Sequence, residues 1–326
     1  MKISVDVPGK LYLAGEYAVV YGGWSVMVPT RKRVRVTAES SSSFMYASTT
    51  FNPFDPYTID NMYVRDAIAV AHAYVSKQSL RPYALRVDSP LQLDGHPKLG
   101  FGSSGAVSVG VLDAVLRFHG HDADPLTLYK LAVLAQHKNH PYSSFGDVAV
   151  SAFNHAMVYR RFDLAVLKQG LRGTVRDIVG RPWSGLMITP FTMPDVPWTI
   201  VHTGDAADSQ AMVKAVHAYR YTPAFFRFKA RSDKLVEDYV RHPRRMMVVI
   251  RALHDNLMAL QDITGVTLFT DAMKAIEKRL RTLPVAIKFS GAGGGDCVII
   301  ACQSASDKSH VTSALVEDYR VLDDFF

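Results

Sequence analysis

Lys98-Leu99-Gly100-Phe101-Gly102-Ser103-Ser104-Gly105-Ala106-Val107 is the stretch on which a reading of this chain turns. Glycines and paired hydroxyls run straight into an apolar segment. There Val107, Val111, Ala114, Val115 and Phe118 recur at the spacing of one helix face. A glycine turn opening a helix directs backbone N–H groups outward at the positive end of the helix dipole, a geometry that cradles phosphate. Ser103 and Ser104 add hydroxyls for phosphate oxygens or a metal. The stretch lacks the Gly-Lys-Ser/Thr close of a Walker loop and is not a Gly-x-Gly-x-x-Gly fingerprint. Taken alone, it also reads as a flexible connection.

Working outward, the 326 residues are 48% hydrophobic and 21% charged, enough for two domains with cores. No apolar run reaches the roughly 18–20 residues of a membrane span. Met1 to Asp6 reads as the start of a strand, without a leader's apolar core. Cys297 and Cys302 are the only cysteines; they have no metal-ligand spacing to histidines and point to reduced thiols in the cytoplasm. The net charge of +7 suits phosphorylated small molecules, nucleic acid or acidic membranes alike.

Ile3, Val5 and Val7 alternate as a strand, and more strands follow through Val36. Ser40 to Pro56 reads as a surface loop, Val64 to Val75 as a helix, and Leu85 and Val87 as a strand. Asp124-Pro125 is a cap and first-turn pair for a helix to about His137. Ser143-Ser144-Phe145-Gly146-Asp147 then opens an apolar helix expected over Val148–Val158. Asp147 reads either as a carboxylate facing a ligand or as that helix's cap.

A boundary is expected near Arg181–Gly185, giving residues 1–183 and 184–326. In the second part strands at Leu186–Thr189 and Trp198–His202, several helices, strands at Val285–Phe289 and Cys297–Ala301, and a helix over Ala305–Tyr319 suggest an α+β, ferredoxin-like layer. Ser290-Gly291-Ala292-Gly293-Gly294-Gly295-Asp296-Cys297 has more glycine than a hairpin needs, and marks a second backbone surface built for close approach.

Three segments together resemble the GHMP kinase superfamily of small-molecule kinases. They are Pro8-Gly9-Lys10-Leu11-Tyr12-Leu13-Ala14-Gly15-Glu16-Tyr17-Ala18-Val19, Gly100 to Gly105, and Ser290 to Cys297. Tyr12, Tyr17, Ser144-Phe145-Gly146-Asp147 and Thr203 to Ser209 are most similar to the Gram-positive phosphomevalonate kinases. Phe101, Ser143, Asp208 and Val298 depart from the usual residues without removing a reactive group.

The resemblance implies a two-domain α+β fold, with an N-terminal domain like domain 2 of ribosomal protein S5 and a C-terminal ferredoxin-like domain. It implies ATP and Mg²⁺ as cofactors and phosphorylation of 5-phosphomevalonate to 5-diphosphomevalonate in isoprenoid synthesis. Lys10 and Asp147 are then the catalytic pair. Lys98, Gly100, Gly102, Ser103, Ser104, Gly105 and Ala106 are the nucleotide site, with Ser104 the metal ligand. Tyr17, Ser144, Ser209, Ala292 and Gly293, with Lys10 and Asp147, are the acceptor site.

An acceptor bearing carboxylate and phosphate leads one to expect several cations around it. Mevalonate kinase is the nearest alternative. A nucleic-acid module is the alternative of another class, disfavoured because basic and aromatic residues interleave only at Phe225–Arg231, within a helical pattern. Partners are expected to be small molecules, with no nucleic acid or membrane, and the protein a monomer or homodimer.

Overall fold

The computed structural model describes residues 1–47, 51–53, 59–91, 99–170 and 172–323. The early alternation builds a long antiparallel pair, β1 (Lys2–Ala14) and β2 (Trp24–Ser40). On its other edge β2 takes β5 (Tyr83–Asp88) along Arg35–Ser40 and β6 (Met157–Arg160) along Trp24–Met27. β3 (Met45–Ala47), parallel to β5, β4 (Phe51–Pro53) and β7 (Met187–Pro190) complete a seven-stranded sheet.

The helices α1 (Met62–Val75), α2 (Ser103–Phe118), α3 (Pro125–Gln136) and α4 (Gly146–Phe153) pack with this sheet. α2 is buried almost all round, between α1 and the β1–β2 pair. That all-round apolar character is what a central helix requires. Asp124 caps α3 as expected, accepting from the Leu126 and Thr127 N–H groups at 2.9 and 3.0 Å. Two short helices follow, α5 (Ala165–Gly170) and α6 (Val175–Gly180).

The second unit runs β8 (Trp198–His202), α7 (Ser209–His217), α8 (Pro223–Arg241), α9 (Met246–Thr264), α10 (Asp271–Leu280), β9 (Val285–Ser290), β10 (Cys297–Cys302), α11 (Ala305–Leu315) and β11 (Arg320–Val321). Its strands are all antiparallel in the order β11-β8-β10-β9. This is the split βαβ pattern of a ferredoxin-like layer.

Several expectations need correction. The strand read at Leu186–Thr189 belongs to the first sheet, where Met187–Pro190 pairs with Met157–Arg160. The passage between sheets therefore falls between Pro190 and Trp198, not at residue 184. The fourth strand of the second sheet is β11, because the last helix ends at Leu315 and not Tyr319. The helix expected over Val148–Val158 stops at Phe153, where Asn154 turns left-handed (φ 53°) and releases the chain into β6. The Ser40–Pro56 stretch, read as a loop, contributes β3 and β4; its residues 48–50 and 54–56 lie outside the described residues.

Strand alternation divides β10 between two interiors. Cys297, Ile299 and Ala301 join a cluster that also holds Val7, Leu11, Val28 and Leu112 of the first unit. Val298, Ile300 and Cys302 join a second cluster with Leu260, Ile276 and Leu315. The same period of two that places one face of a strand on a helix layer places the other on the neighbouring unit. The two sheets are thereby joined through a shared core.

Candidate active site

The site begins with an irregularity. The β1–β2 register slips between Pro8 and Lys10, and such irregularities bend a strand and re-aim its side chains. The Gly9 N–H turns to the Thr30 hydroxyl at 2.9 Å, while the Lys10 N–H bonds the Phe101 carbonyl at 2.8 Å. Lys10 Nζ donates to the Gly100 carbonyl at 2.8 Å. The lysine is thus gripped at both ends by the glycine loop, and lies 5.2 Å from the Tyr12 ring centre.

Asp147 enters from the first turn of α4, which opens at Phe145 in a left-handed conformation (φ 55°). Of the two readings, the cap is not met, since the cap position is Phe145 and Asp147 lies inside the first turn; the carboxylate instead faces the cleft. The backbone N–H groups at the start of α4 favour its charged form. The glycines let it approach α2 closely. A Cβ on Gly105 would stand 2.8 Å from Asp147 Oδ2. One on Gly102, already at φ +68°, would stand 3.0 Å from both Asp147 Cβ and Lys10 Cγ. Two helix N-termini, those of α2 and α4, consequently open on one space.

The third glycine segment closes it from the second unit. Tyr12 N–H donates to Ser290 Oγ at 2.8 Å, and the Tyr17 hydroxyl donates to the Ala292 carbonyl at 2.6 Å. Asp296, also left-handed (φ 56°), accepts from the Ala207 N–H at 3.1 Å and so holds the segment before α7. The result is a cleft of about 670 Å³ lined from both units.

Of the expected residues, Lys10, Tyr17, Gly100, Gly102, Ser103, Ser104, Ser144, Asp147, Ser209 and Ala292 line it. Others do not. Gly105 sits behind Asp147, and the Ala106 N–H is spent on the Gly102 carbonyl at 3.2 Å. Gly293 turns toward the Leu268 carbonyl, which a Cβ there would meet at 2.6 Å.

Of the several cations expected around the acceptor, Lys98 lies outside the described residues. Among the described lining residues Lys10 is the one lysine or arginine, set against the carboxylates of Glu16, Asp147, Asp208 and Asp296. Sequence reading passed over Glu16 and Asp296 individually, although a lone acid inside the apolar Leu11–Val20 run was a visible signal. Tyr63, which also lines the cleft, carried none.

Burial sets the charges against their ordinary behaviour. It pulls the Lys10 ammonium down from its usual range, with the Asp147 and Asp296 carboxylates pushing back. It raises the Asp147 carboxyl, with the Lys10 charge opposing. Such opposed shifts in one cleft mark functional groups. A lysine poised among helix N-termini, glycine backbone and an acid can hold and neutralise a phosphate chain.

Residues 62–155 match the family model for the GHMP kinases N terminal domain, and residues 240–321 that for the GHMP kinases C terminal domain. The chain belongs to the GHMP kinase family. Among curated proteins, the phosphomevalonate kinase of Streptomyces sp. (strain CL190) is 28% identical, across 93% of this chain and 91% of its own. Among solved structures, the Lin0012 protein of Listeria innocua superposes with a TM-score of 0.92 at 22% identity, over 100% of this chain and 98% of that one. Streptococcus pneumoniae phosphomevalonate kinase, solved with phosphomevalonate and AMPPNP, gives 0.88 at 24% identity over 98% of each chain. At those identities the two structures bear on the fold alone. This GHMP kinase has the family's two-domain architecture, and its three glycine-bearing segments converge as the family resemblance implies.

Proposed function

We propose that this GHMP kinase transfers the γ-phosphate of ATP to 5-phosphomevalonate, releasing ADP and 5-diphosphomevalonate. The observation that carries the reading is the convergence of Gly100–Ser104 and Gly291–Ala292 on one cleft around Lys10 and Asp147. The full-length Streptomyces relative named for this activity supports the choice of acceptor.

In phosphoryl transfer the protein mainly positions the reactants and offsets charge that spreads over the phosphoryl oxygens. The α2 N-terminus and the loop N–H groups receive the terminal phosphates of the nucleotide. Lys10, held on the Gly100 carbonyl, presents its ammonium to the transferring group. A phosphate monoester acceptor has a second pKa of about 6 and is mostly dianionic at pH 7, so no base must strip it of a proton. Asp147 therefore orients Lys10 and the acceptor.

Mg²⁺ fits the donor set. Among the described residues no trio of His, Cys, Asp or Glu side chains is arranged to hold a metal by itself. Magnesium takes hard oxygen ligands and keeps several waters, so the Ser104 hydroxyl with nucleotide phosphates suffices. The ion would supply charge neutralisation beyond that of Lys10, in a cleft whose described lining also holds four carboxylates. Two free, buried thiols suit a reducing cytoplasm, and no helix among the described residues is long and apolar enough to cross a membrane.

The test is ADP release with mevalonate, 5-phosphomevalonate and 5-diphosphomevalonate offered separately. The expected result is turnover on 5-phosphomevalonate, at least about tenfold above the others in kcat/KM. Preference for mevalonate would make the chain a mevalonate kinase, and ADP formation with carbon dioxide from the diphosphate would make it a decarboxylase.

A further inference from the structure

Lys288 is fully buried in β9, on a strand whose other residues are mostly apolar. It shares its face with Ala286 and Ser290, the face turned to the first unit. Its ammonium is held between the Phe289 carbonyl at 2.7 Å and the carboxylate of Glu16, which is itself 3% exposed. The other Glu16 oxygen, Oε2, is buried with no hydrogen-bond partner among the described residues. Glu16 borders the cleft and lies within electrostatic reach of Lys10 as well as Lys288.

A buried carboxylate with an unfilled oxygen is a strong attractor for any nearby cation, because the attraction is little screened there. Two cations are in range, yet Lys10 Nζ bonds the Gly100 carbonyl. We infer that Lys288 is a positioning residue for phosphoryl transfer: by occupying Glu16 it leaves the Lys10 ammonium on the phosphate loop. The second unit thereby sets the aim of a catalytic group in the first. Without Lys288, Glu16 draws Lys10 off Gly100 and away from the transferring phosphoryl group.

The inference rests on the kinase reading of the cleft, so its test joins turnover to a structural readout that needs no substrate. In Lys288→Met, kcat per folded enzyme falls about tenfold or more, while KM for ATP stays within about threefold, since the loop N–H groups are untouched. A crystal structure of the variant shows Lys10 Nζ on Glu16 and no longer on the Gly100 carbonyl. In the double variant Glu16→Gln/Lys288→Met the competing charge is gone, so Lys10 returns to Gly100 and most of the turnover is regained.

A folded Lys288→Met enzyme with native kcat, or with Lys10 still on Gly100, overturns the inference. If that variant does not fold, the double variant decides, since it leaves no charge unpaired in the core. A folded double variant as slow as a Lys10 variant, with Lys10 in its native place, also overturns it. Wild-type enzyme inactive on every acid offered, with Lys10 moving as described in Lys288→Met, would discard the acceptor reading and keep the positioning role.

Discussion

At the residue scale, Lys10 and Asp147 are expected to separate in their effects. Lys10→Ala removes the cation that meets developing charge, and kcat should fall by about 100-fold or more. Asp147→Asn keeps the shape and loses the charge, so kcat should suffer more than KM in steady-state assays. The pH profile follows from the directions of the shifts. Activity requires Lys10 protonated and Asp147 ionised. Burial raises the Asp147 carboxyl, so activity is lost on the acid side above the ordinary carboxylate range. Burial lowers the Lys10 ammonium, so the alkaline fall comes before that of a free lysine. Asp147→Asn should erase the enzyme's own acid limb and leave only that of the acceptor phosphate, about 6. An unchanged acid limb in that variant would show that the acceptor phosphate, and not Asp147, sets it.

At the element scale, the α2 N-terminus carries a close approach that the site depends on. Alanine is favoured over glycine in a helix by about 1 kcal/mol, so Gly105→Ala should fold with its helix content intact by circular dichroism. The added methyl group must nevertheless displace Asp147 Oδ2, which it would meet at 2.8 Å. Turnover per folded enzyme should therefore drop at least about tenfold, and native turnover would mean that Asp147 shifts at no cost.

This element was legible in the sequence, because glycine, hydroxyl and helix periodicity sit within a few residues of one another. The α+β character of the second part was legible too, but its strand order was not, since one strand read there belongs to the first sheet and the closing strand at Arg320–Val321 was not anticipated. What could not be read was set by contacts between distant parts. Met187–Pro190 has no local mark that assigns it to one sheet or the other, and only its pairing with β6 decides. Lys288 has no local mark of its role, which is set by Glu16, far away in the chain. Ala106 and Gly293 belong to the right motifs, but spend a backbone group or turn their faces elsewhere.

At the scale of the whole molecule, the interior shared by Val7, Leu112, Ile299 and Ala301 couples the two units. Burying a valine, leucine or isoleucine side chain contributes about 1.5–3 kcal/mol, and separating the units would expose many together. Calorimetry should accordingly show one unfolding transition with calorimetric and van't Hoff enthalpies in agreement. Two resolved transitions would mean that the shared interior does not bind the units into one cooperative system.

The two-sided packing of β10 also bears on how the gene tolerates change. Deleting or inserting a single codon within Cys297–Cys302 would turn over every side chain beyond the lesion, handing Ile300 to the interior that Ile299 serves. Substitutions of similar volume at either position are far milder. Mutational libraries across this strand should therefore show a sharp contrast, with point variants often surviving and in-frame indels almost never.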